Sequence, residues 1–147
     1  MSKSKPGKTP ARKGTFLIAG LILLAIVLAA IVVFNDRPVA QAALPSQVSV
    51  DQAAQLREQG VFVLDVRQPE EWNEAHIPGS TLIPLGELPQ RLSELPSDQE
   101  ILVVCRSGNR SQTGRDILRE AGFENVTSMS GGIISWNSKG YPTVSGP

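Results

Sequence analysis

The single cysteine of the chain, Cys105, begins the segment with the clearest chemical meaning. It follows four apolar residues, 101–104, and the chain then continues Arg-Ser-Gly-Asn-Arg-Ser. Gly108 and Asn109 tolerate positive φ, so the segment can curl tightly and point its backbone N–H groups inward, toward an anion. A helix is predicted to begin at Ser111, and its positive N-terminal end would face the same place.

This loop predicts a nucleophile inside an anion-binding site. The backbone N–H groups, the helix end and the neighbouring arginines all favour the thiolate of Cys105 over the thiol. A thiolate so placed suits attack on an anion that carries a transferable sulfur, phosphorus or arsenic atom. A buried cysteine acting as a small hydrophobe is the alternative, but it does not explain the residues that follow. The candidate substrate-binding residues are Arg106, Ser107, Gly108, Asn109 and Arg110.

The elements that must position this loop are strands alternating with helices in residues 46–147. Strands are predicted near 48–50, 61–64, 81–84, 101–104 and 125–127, and helices over 51–59, 85–95, 111–121 and 131–138. The polar stretch 65–80 is predicted to be a loop with one helical turn at 70–73. The strands 61–64 and 101–104 are apolar throughout, which is typical of a parallel sheet covered by helices on both faces. Sites in such sheets lie at the carboxyl ends of the strands, where Asp65 and Cys105 fall.

The other polar residues near this edge are predicted to have structural roles. The only histidine, His76, is interpreted as a hydrogen-bonding residue, because a thiolate stabilised by its loop needs no general base. Arg67 is expected to pair with Glu70 or Glu71 and so to order its loop. Asp65 borders the predicted site, but its negative charge would oppose an anionic substrate.

Three glycines are candidates for close backbone packing. Gly131 and Gly132 precede the last predicted helix and could let its backbone approach the Cys105 loop. Gly114 lies inside the helix that follows the loop, where it costs roughly 1 kcal/mol relative to alanine. Close packing of this helix on the sheet would account for it.

The sequence resembles the rhodanese family in several motifs that occur in the family's order. Residues 105–111 look like its active-site loop, with Cys105 at the position of the catalytic cysteine. Upstream, Leu-Asp-Val-Arg at 64–67 and Glu-Ala-His-Ile-Pro-Gly at 74–79 resemble the family's first signature, although Ala75 stands where glycine is usual. Downstream, Gly-Gly-Ile-Ile-Ser-Trp at 131–136 and Gly-Tyr-Pro at 140–142 resemble its closing signature.

The resemblance implies a rhodanese fold, an α/β domain with a five-stranded parallel sheet flanked by helices. It also implies sulfur transfer without a metal or an organic cofactor. Cys105 would take the outer sulfur of a donor such as thiosulfate and become a persulfide. The persulfide would then pass this sulfur to a thiophilic acceptor, such as a thiol, cyanide or a protein. The loop N–H groups from Arg106 to Arg110 would hold the persulfide and the anionic leaving group.

Three other functions remain as alternatives. Related phosphatases and arsenate reductases place five residues between the cysteine and an essential arginine, whereas Arg110 follows Cys105 after four. The shorter loop favours sulfur over phosphate. A non-catalytic binding or sulfur-carrier module is the second alternative. A redox sensor is the third, but the chain has no second cysteine to resolve an oxidised thiol.

The net charge of zero conceals a separation of charge along the chain. Residues 1–15 carry five basic side chains and no acidic one, and residues 46–147 carry thirteen acidic and eight basic side chains. Between them lie the nineteen residues 16–34, none with a polar side chain. A helix of this length is about 28 Å long, close to the ~30 Å core of a bilayer. We therefore predict a transmembrane helix over 16–34 and no nucleic-acid site in the basic tail.

The charges also predict the orientation of the chain. Five basic residues before the apolar segment, against Arg37 alone just after it, place the N-terminus in the cytoplasm. Residues 1–15 are then a cytoplasmic tail, 35–45 a linker, and 46–147 a domain on the far side, in a periplasm or lumen. The alternative is a signal peptide cleaved near Ala42, although the apolar segment is longer than the roughly 7–15 residues usual in signal peptides. Both interpretations export the domain.

Overall fold

The computed structural model describes residues 43–147, in which five strands alternate with four α-helices. The strands are β1 (Gln47–Val48), β2 (Phe62–Asp65), β3 (Thr81–Leu82), β4 (Ile101–Val104) and β5 (Val126–Met129). The helices are α1 (Val50–Glu58), α2 (Pro69–Glu74), α3 (Asn109–Glu120) and α4 (Gly132–Ser138).

The five strands form one sheet in the order β1-β5-β4-β2-β3, and every neighbouring pair is parallel. The predicted α/β class and the five-stranded parallel sheet flanked by helices are therefore confirmed. β4 lies at the centre, and all four of its residues are buried. This central position explains why residues 101–104 are all apolar, because a central strand has helices on both faces and strands on both edges.

Two hydrophobic clusters cover the two faces of the sheet. On one face, Ala53 of α1 and Trp136 of α4 pack with the sheet residues Leu102 and Val104. On the other face, Leu118 of α3 packs with Val103 and with residues from the connection between β3 and β4. The helices that precede and follow the central strands thus hold β4 and its carboxyl end in place.

The first predicted strand ends earlier than expected, and one predicted element is wrong in type. Val50 begins α1 instead of ending a strand, because Ser49 caps this helix: Ser49 Oγ accepts from the Gln52 backbone N–H at 3.3 Å. The predicted helix over 85–95 is two short 3₁₀ turns, Leu88–Gln90 and Leu92–Glu94. An α-helix here would need an N–H at Pro89, which proline lacks.

Other boundaries differ as well: the strand predicted over 81–84, for example, ends at Leu82. α2 has six residues, Pro69–Glu74, where a single turn was expected within the 65–80 loop. β5 extends to Met129. α3 begins at Asn109, two residues before the predicted Ser111, so Asn109 and Arg110 belong to the first turn of the helix.

Several predicted features lie outside the described residues. They are the tail (1–15), the transmembrane helix (16–34), the cleavage site near residue 42 and most of the linker (35–45). Between residues 43 and 147, none of the helices has the length and apolar character needed to span a membrane.

Candidate active site

Cys105 lies at the carboxyl end of the central strand, immediately after Val104. The end of β4 is held by its neighbour, because the Val66 N–H donates to the Val104 carbonyl at 3.0 Å. Only 1% of Cys105 is exposed. The nucleophile predicted from the sequence is therefore at the sheet edge where sites of parallel sheets are found.

The sulfur of Cys105 is contacted by groups at the start of α3. The Gly108 N–H donates to Sγ at 3.1 Å, and the Ser111 hydroxyl oxygen lies 3.6 Å from Sγ. The N-terminal end of this twelve-residue helix adds a partial positive charge. The Gly108 N–H and the helix end both suit a negative charge on the sulfur, which is what a nucleophilic thiolate requires, whereas the Ser111 hydroxyl accepts from the thiol.

Ser111 is a site residue that the sequence interpretation missed. Its side chain is fully buried, and its hydroxyl donates to the Gly108 carbonyl at 2.9 Å while facing the sulfur. A hydroxyl so placed can accept from the thiol or, after rotation, donate to the thiolate. The signal was present in the sequence, because Ser111 was expected in the first turn of the helix that points at Cys105.

The loop curls because Gly108 adopts φ +102°, a left-handed conformation. A Cβ at this position would lie 2.9 Å from the Gly131 backbone nitrogen. Both facts require glycine, because other residues rarely adopt this φ and a side chain would meet backbone. Gly108 ends the loop here, and α3 starts at the next residue.

The other side of the loop is bonded to α4. The Ile133 and Ile134 N–H groups donate to the carbonyls of Cys105 and Arg106 at 2.8 and 3.1 Å. Gly132 permits this contact, because a Cβ there would lie 2.4 Å from the Arg106 and Cys105 backbone. The prediction that this glycine pair allows close approach holds at Gly132. The backbone N–H groups of α4 thus satisfy the carbonyl groups of the Cys105 loop.

The two loop arginines differ in what they contact. Arg106 is exposed. Arg110 is half-buried and forms two hydrogen bonds of 2.7 Å with the carboxylate of Glu71 in α2. The Arg110 guanidinium lowers the pKa of Glu71 to about 2, and Glu71 in turn raises the pKa of Arg110. Arg110 therefore joins the loop to α2, and its charge is largely balanced.

Asp65 and Arg67 form a buried ion pair at the end of β2. Arg67 Nη2 lies 2.6 Å from Asp65 Oδ2, and the same guanidinium donates to the carbonyls of Glu71 and Ala75. The expected pairing of Arg67 with Glu70 or Glu71 is wrong. Residues i and i+2 of an extended chain lie on the same side, which brings Asp65 within reach first.

His76 is also held by local contacts. Its ring stacks on Trp72 with the ring centres 3.6 Å apart, and Nδ1 lies 3.0 Å from the Trp72 carbonyl oxygen. Its backbone bonds to Val144 near the C-terminus. These contacts agree with the predicted structural role, and they connect α2 to the last residues of the chain.

Gly114 packs against the sheet as the sequence suggested. A Cβ at this position would lie 3.1 Å from Val103 and 3.4 Å from Val66. The glycine therefore lets α3 approach the strands closely. This approach sets the distance between the start of α3 and Cys105.

Beside the loop is a pocket of about 340 Å³ between α2 and α4. It is lined by Arg67, Glu71, Glu74, Ala75, Arg106, Ile133, Ile134 and Asn137. The remaining predicted binding residues are exposed: Ser107 lies on the loop, and Asn109 is the first residue of α3. Within residues 43–147 no three His, Cys, Asp or Glu side chains are grouped to bind a metal.

The fold and the site together define a class of protein: a parallel α/β domain with a buried cysteine at the carboxyl end of its central strand, in a loop that leads into a helix. Comparison with known families agrees, because the Rhodanese-like domain family matches residues 49–139. The chain belongs to the rhodanese-like family.

Known relatives and structures share this domain. The chain is 39% identical to "Putative sulfur carrier protein YrkF" of Bacillus subtilis over 82 residues, which are 56% of this chain and 44% of that protein. It is 36% identical to "Thiosulfate sulfurtransferase GlpE" of Pseudomonas syringae over 102 residues, 68% of this chain and 95% of that protein. The crystal structure of a rhodanese-related protein from Thermoplasma volcanium has a TM-score of 0.64 at 33% identity, covering 68% of this chain and 98% of that one.

Proposed function

We propose that this protein is a sulfurtransferase that carries sulfur as a persulfide on Cys105. The observation that carries the proposal is the Gly108 N–H directed at Sγ from 3.1 Å, in a loop whose next residues begin a helix. Such a loop stabilises the thiolate before sulfur is taken up and again after it is released. The likeness to a thiosulfate sulfurtransferase supports thiosulfate as a donor.

The reaction has two steps. The Cys105 thiolate attacks the outer sulfur of thiosulfate, the S–S bond of the donor breaks, and sulfite leaves with the electron pair. An acceptor thiolate or cyanide then attacks the outer sulfur of the persulfide, and the Cys105 thiolate leaves. No external oxidant or reductant is needed. Arg106 and the loop N–H groups attract the anionic donor, while the domain as a whole is acidic.

The test uses the full chain, purified in mild detergent. Incubation with thiosulfate should add the mass of one sulfur atom, and addition of cyanide should remove it and form thiocyanate. Cys105→Ser should do neither while keeping the same circular dichroism spectrum. A folded wild-type protein that neither gains sulfur nor turns over would disprove the proposal.

A binding or sulfur-carrier module is the second candidate. The low exposure of Cys105 and the name of the Bacillus subtilis relative favour it. The two candidates differ in the second step, because a carrier loads sulfur but releases it only to a particular partner. Persulfide formation without turnover on cyanide or small thiols would favour a sulfur carrier, whereas a cellular phenotype unchanged by Cys105→Ser would favour a binding role that does not use the cysteine.

A phosphatase or arsenate reductase is less well supported. Arg110 follows the cysteine after only four residues, and its guanidinium is bonded to Glu71. A phosphate would therefore lack the bidentate arginine that such enzymes use. Hydrolysis of an aryl phosphate by wild type, but not by Cys105→Ser, would support this function instead.

The proposal includes a membrane anchor at residues 16–34, with the sulfurtransferase domain on the non-cytoplasmic side. The support is the apolar segment and the basic residues before it. Alkaline carbonate should leave the protein in the membrane fraction, and external protease should reach residues 46–147 in spheroplasts. Release of a shorter mature protein would instead indicate cleavage near Ala42.

A further inference from the structure

Another cavity lies at the opposite end of the sheet from Cys105. Its volume is about 360 Å³, within the range of roughly 300–1,000 Å³ that holds small ligands. It is lined by the start of β2, by the turn before β3 and by Gln99, which precedes β4. Because the strands are parallel, their first residues meet at one edge of the sheet, whereas Cys105 follows the last residue of β4 at the other edge. The cavity is therefore separate from the proposed sulfur-transfer site.

The charged group of this cavity is Arg57, in the last turn of α1. Its Nε and Nη2 donate to the Pro78 carbonyl at 3.2 and 3.1 Å, so one edge of the guanidinium is held by backbone. Nη1 makes no hydrogen bond within residues 43–147, and no carboxylate of that range forms an ion pair with Arg57. The guanidinium is thus fixed before a ligand binds, which lowers the entropy cost of binding, and its outer edge is left for the ligand.

Most arginines of the domain differ from Arg57 in having a carboxylate partner. Arg67, Arg91, Arg110 and Arg115 each form an ion pair. The other residues that line the cavity have no ionisable side chain, although residues 46–147 carry thirteen acidic and eight basic side chains in total. The cavity therefore presents an unbalanced positive charge within an acidic domain, and this charge favours an anion.

The rest of the lining combines apolar surface with an open rim. Val61, Phe62 and Pro78 are apolar, and each is only half-buried. At the rim, Gly60 and Gly79 have φ +88° and +80°, and a Cβ at either position would have no atom within 4 Å. An anion with an apolar body would cover the exposed apolar surface, whereas an inorganic ion would leave it in water.

We propose that this cavity binds a small organic carboxylate whose apolar body lies against Val61 and Phe62. The outer edge of the Arg57 guanidinium holds the carboxylate in two hydrogen bonds, the arrangement that a guanidinium and a carboxylate favour. The side-chain amide of Gln99 offers a further donor. Binding at this end of the sheet does not use Cys105.

The test titrates the full chain in non-ionic detergent with benzoate at constant ionic strength, and follows backbone amide signals by NMR. The signals of Gly60 and Gly79 should shift and saturate with a Kd of roughly 1–10 mM. Gly108 reports on the loop around Cys105, and its signal should not move over the same range. Saturating shifts at Gly108 with none at Gly60 and Gly79 would overturn the proposal.

Two analogues of benzoate separate charge from shape. Benzamide has the shape without the charge, and benzylamine carries the opposite charge. Benzamide should bind about fivefold more weakly than benzoate or worse, because a hydrogen bond to an ionised acceptor is roughly twice as strong as one to a neutral group. Benzylamine should not bind. Equal Kd values for benzoate and benzamide would mean that Arg57 does not hold a carboxylate here.

Variants of Arg57 test the same contact from the side of the protein. Arg57→Gln should weaken benzoate binding by about fivefold or more, and Arg57→Lys, which keeps the charge without the planar fork, should have an intermediate effect. The matched control is Arg119→Gln, because Arg119 also bonds to a backbone carbonyl but lies outside the cavity lining. This control should keep the wild-type Kd. An unchanged Kd in Arg57→Gln would contradict the assigned contact.

Cys105→Ser separates this cavity from the proposed function. This variant should bind benzoate as tightly as wild type, because the two sites lie at opposite ends of the sheet. Benzoate binding in a wild-type protein that transfers no sulfur would overturn the proposed function alone. Sulfur transfer by a wild-type protein that binds no benzoate would overturn the cavity assignment alone.

Discussion

Two loops follow the two buried central strands, and they handle charge in opposite ways. The loop after β4 is built mainly from backbone: the Gly108 N–H faces the sulfur, and the carbonyls of Cys105 and Arg106 are bonded to α4. The segment after β2 is built from charged side chains that bond to one another, above all Asp65 and Arg67.

This difference means that the loop after β4 carries the proposed chemistry, whereas the segment after β2 holds that loop in place. Under the proposed function, a backbone N–H such as that of Gly108 can stabilise a changing charge on sulfur without a fixed counter-charge. The ion pairs after β2 are already balanced, and they hold α2 against the loop through Glu71 and Arg110. We expect substitutions after β2 to affect mainly stability, and substitutions in the loop after β4 to affect mainly activity.

The largest expected effect on stability is at the buried pair. Asp65→Asn should lower the free energy of unfolding by about 3–5 kcal/mol, because it leaves the buried guanidinium of Arg67 without its counter-charge. Urea unfolding followed by circular dichroism measures this. The control is Glu94→Gln at the exposed pair with Arg91, which should change little. Equal effects at the two pairs would contradict the proposed role of burial.

The next largest loss of stability is expected at the contact between the Cys105 loop and α4. Gly132→Ala should cost about 2–4 kcal/mol, because it adds a backbone clash to an unfavourable φ of +58°. Gly122→Ala is the control, since its φ is +95° but nothing lies within 4 Å of the added Cβ. Thermal unfolding of both variants separates the clash from the φ strain. If the two variants lose similar stability, the close approach of α4 is not what requires glycine.

Ser111 tests the chemical side of the comparison. Ser111→Ala should lower the rate of release of sulfur from the persulfide by about tenfold, because the departing thiolate loses a hydroxyl that can rotate away from the Gly108 carbonyl and donate to it. Single-turnover transfer to cyanide measures this rate, and thermal unfolding checks that the fold is kept. A loss of stability with an unchanged release rate would make Ser111 a packing residue only.

The smallest effect on stability is expected at the ion pair between Glu71 and Arg110, which joins the two regions. The pKa of Glu71 is lowered from 4.5 to about 2, so its ionisation stabilises the folded state above about pH 4.5. This stabilisation is lost as the pH falls toward 2. After allowance for solvent screening it is about 1 kcal/mol, so Glu71→Gln should be less stable than wild type by that amount at pH 7.

Urea unfolding at pH 7, 5 and 3 checks the sign of this prediction. The difference between wild type and Glu71→Gln should be similar at the two higher values and clearly smaller at pH 3. A difference that grows on acidification would mean that the carboxylate of Glu71 does not stabilise the folded state through Arg110.

Much of this arrangement was accessible from the sequence, and the misses have common causes. The apolar runs located both central strands, and the loop composition located Cys105 and the loop whose Gly108 N–H donates to it. The helix over 85–95 was wrong because the leucine spacing was given more weight than Pro89. The partner of Arg67 was wrong because distance along the chain does not say which carboxylate is buried. Ser111 was missed because only the packed structure shows that its buried hydroxyl lies against the sulfur of Cys105.

By itself, the sequence determined the class of fold, the candidate nucleophile and the type of loop around it. These depend on local patterns: apolar runs that must be buried, and glycines that a curled backbone requires. Only the tertiary structure decided which charges are paired and which are left for a ligand. Arg106 and Arg110 look alike in the sequence, but α2 brings Glu71 to Arg110 and leaves Arg106 facing the pocket, because an ion pair depends on distances between elements far apart in the chain.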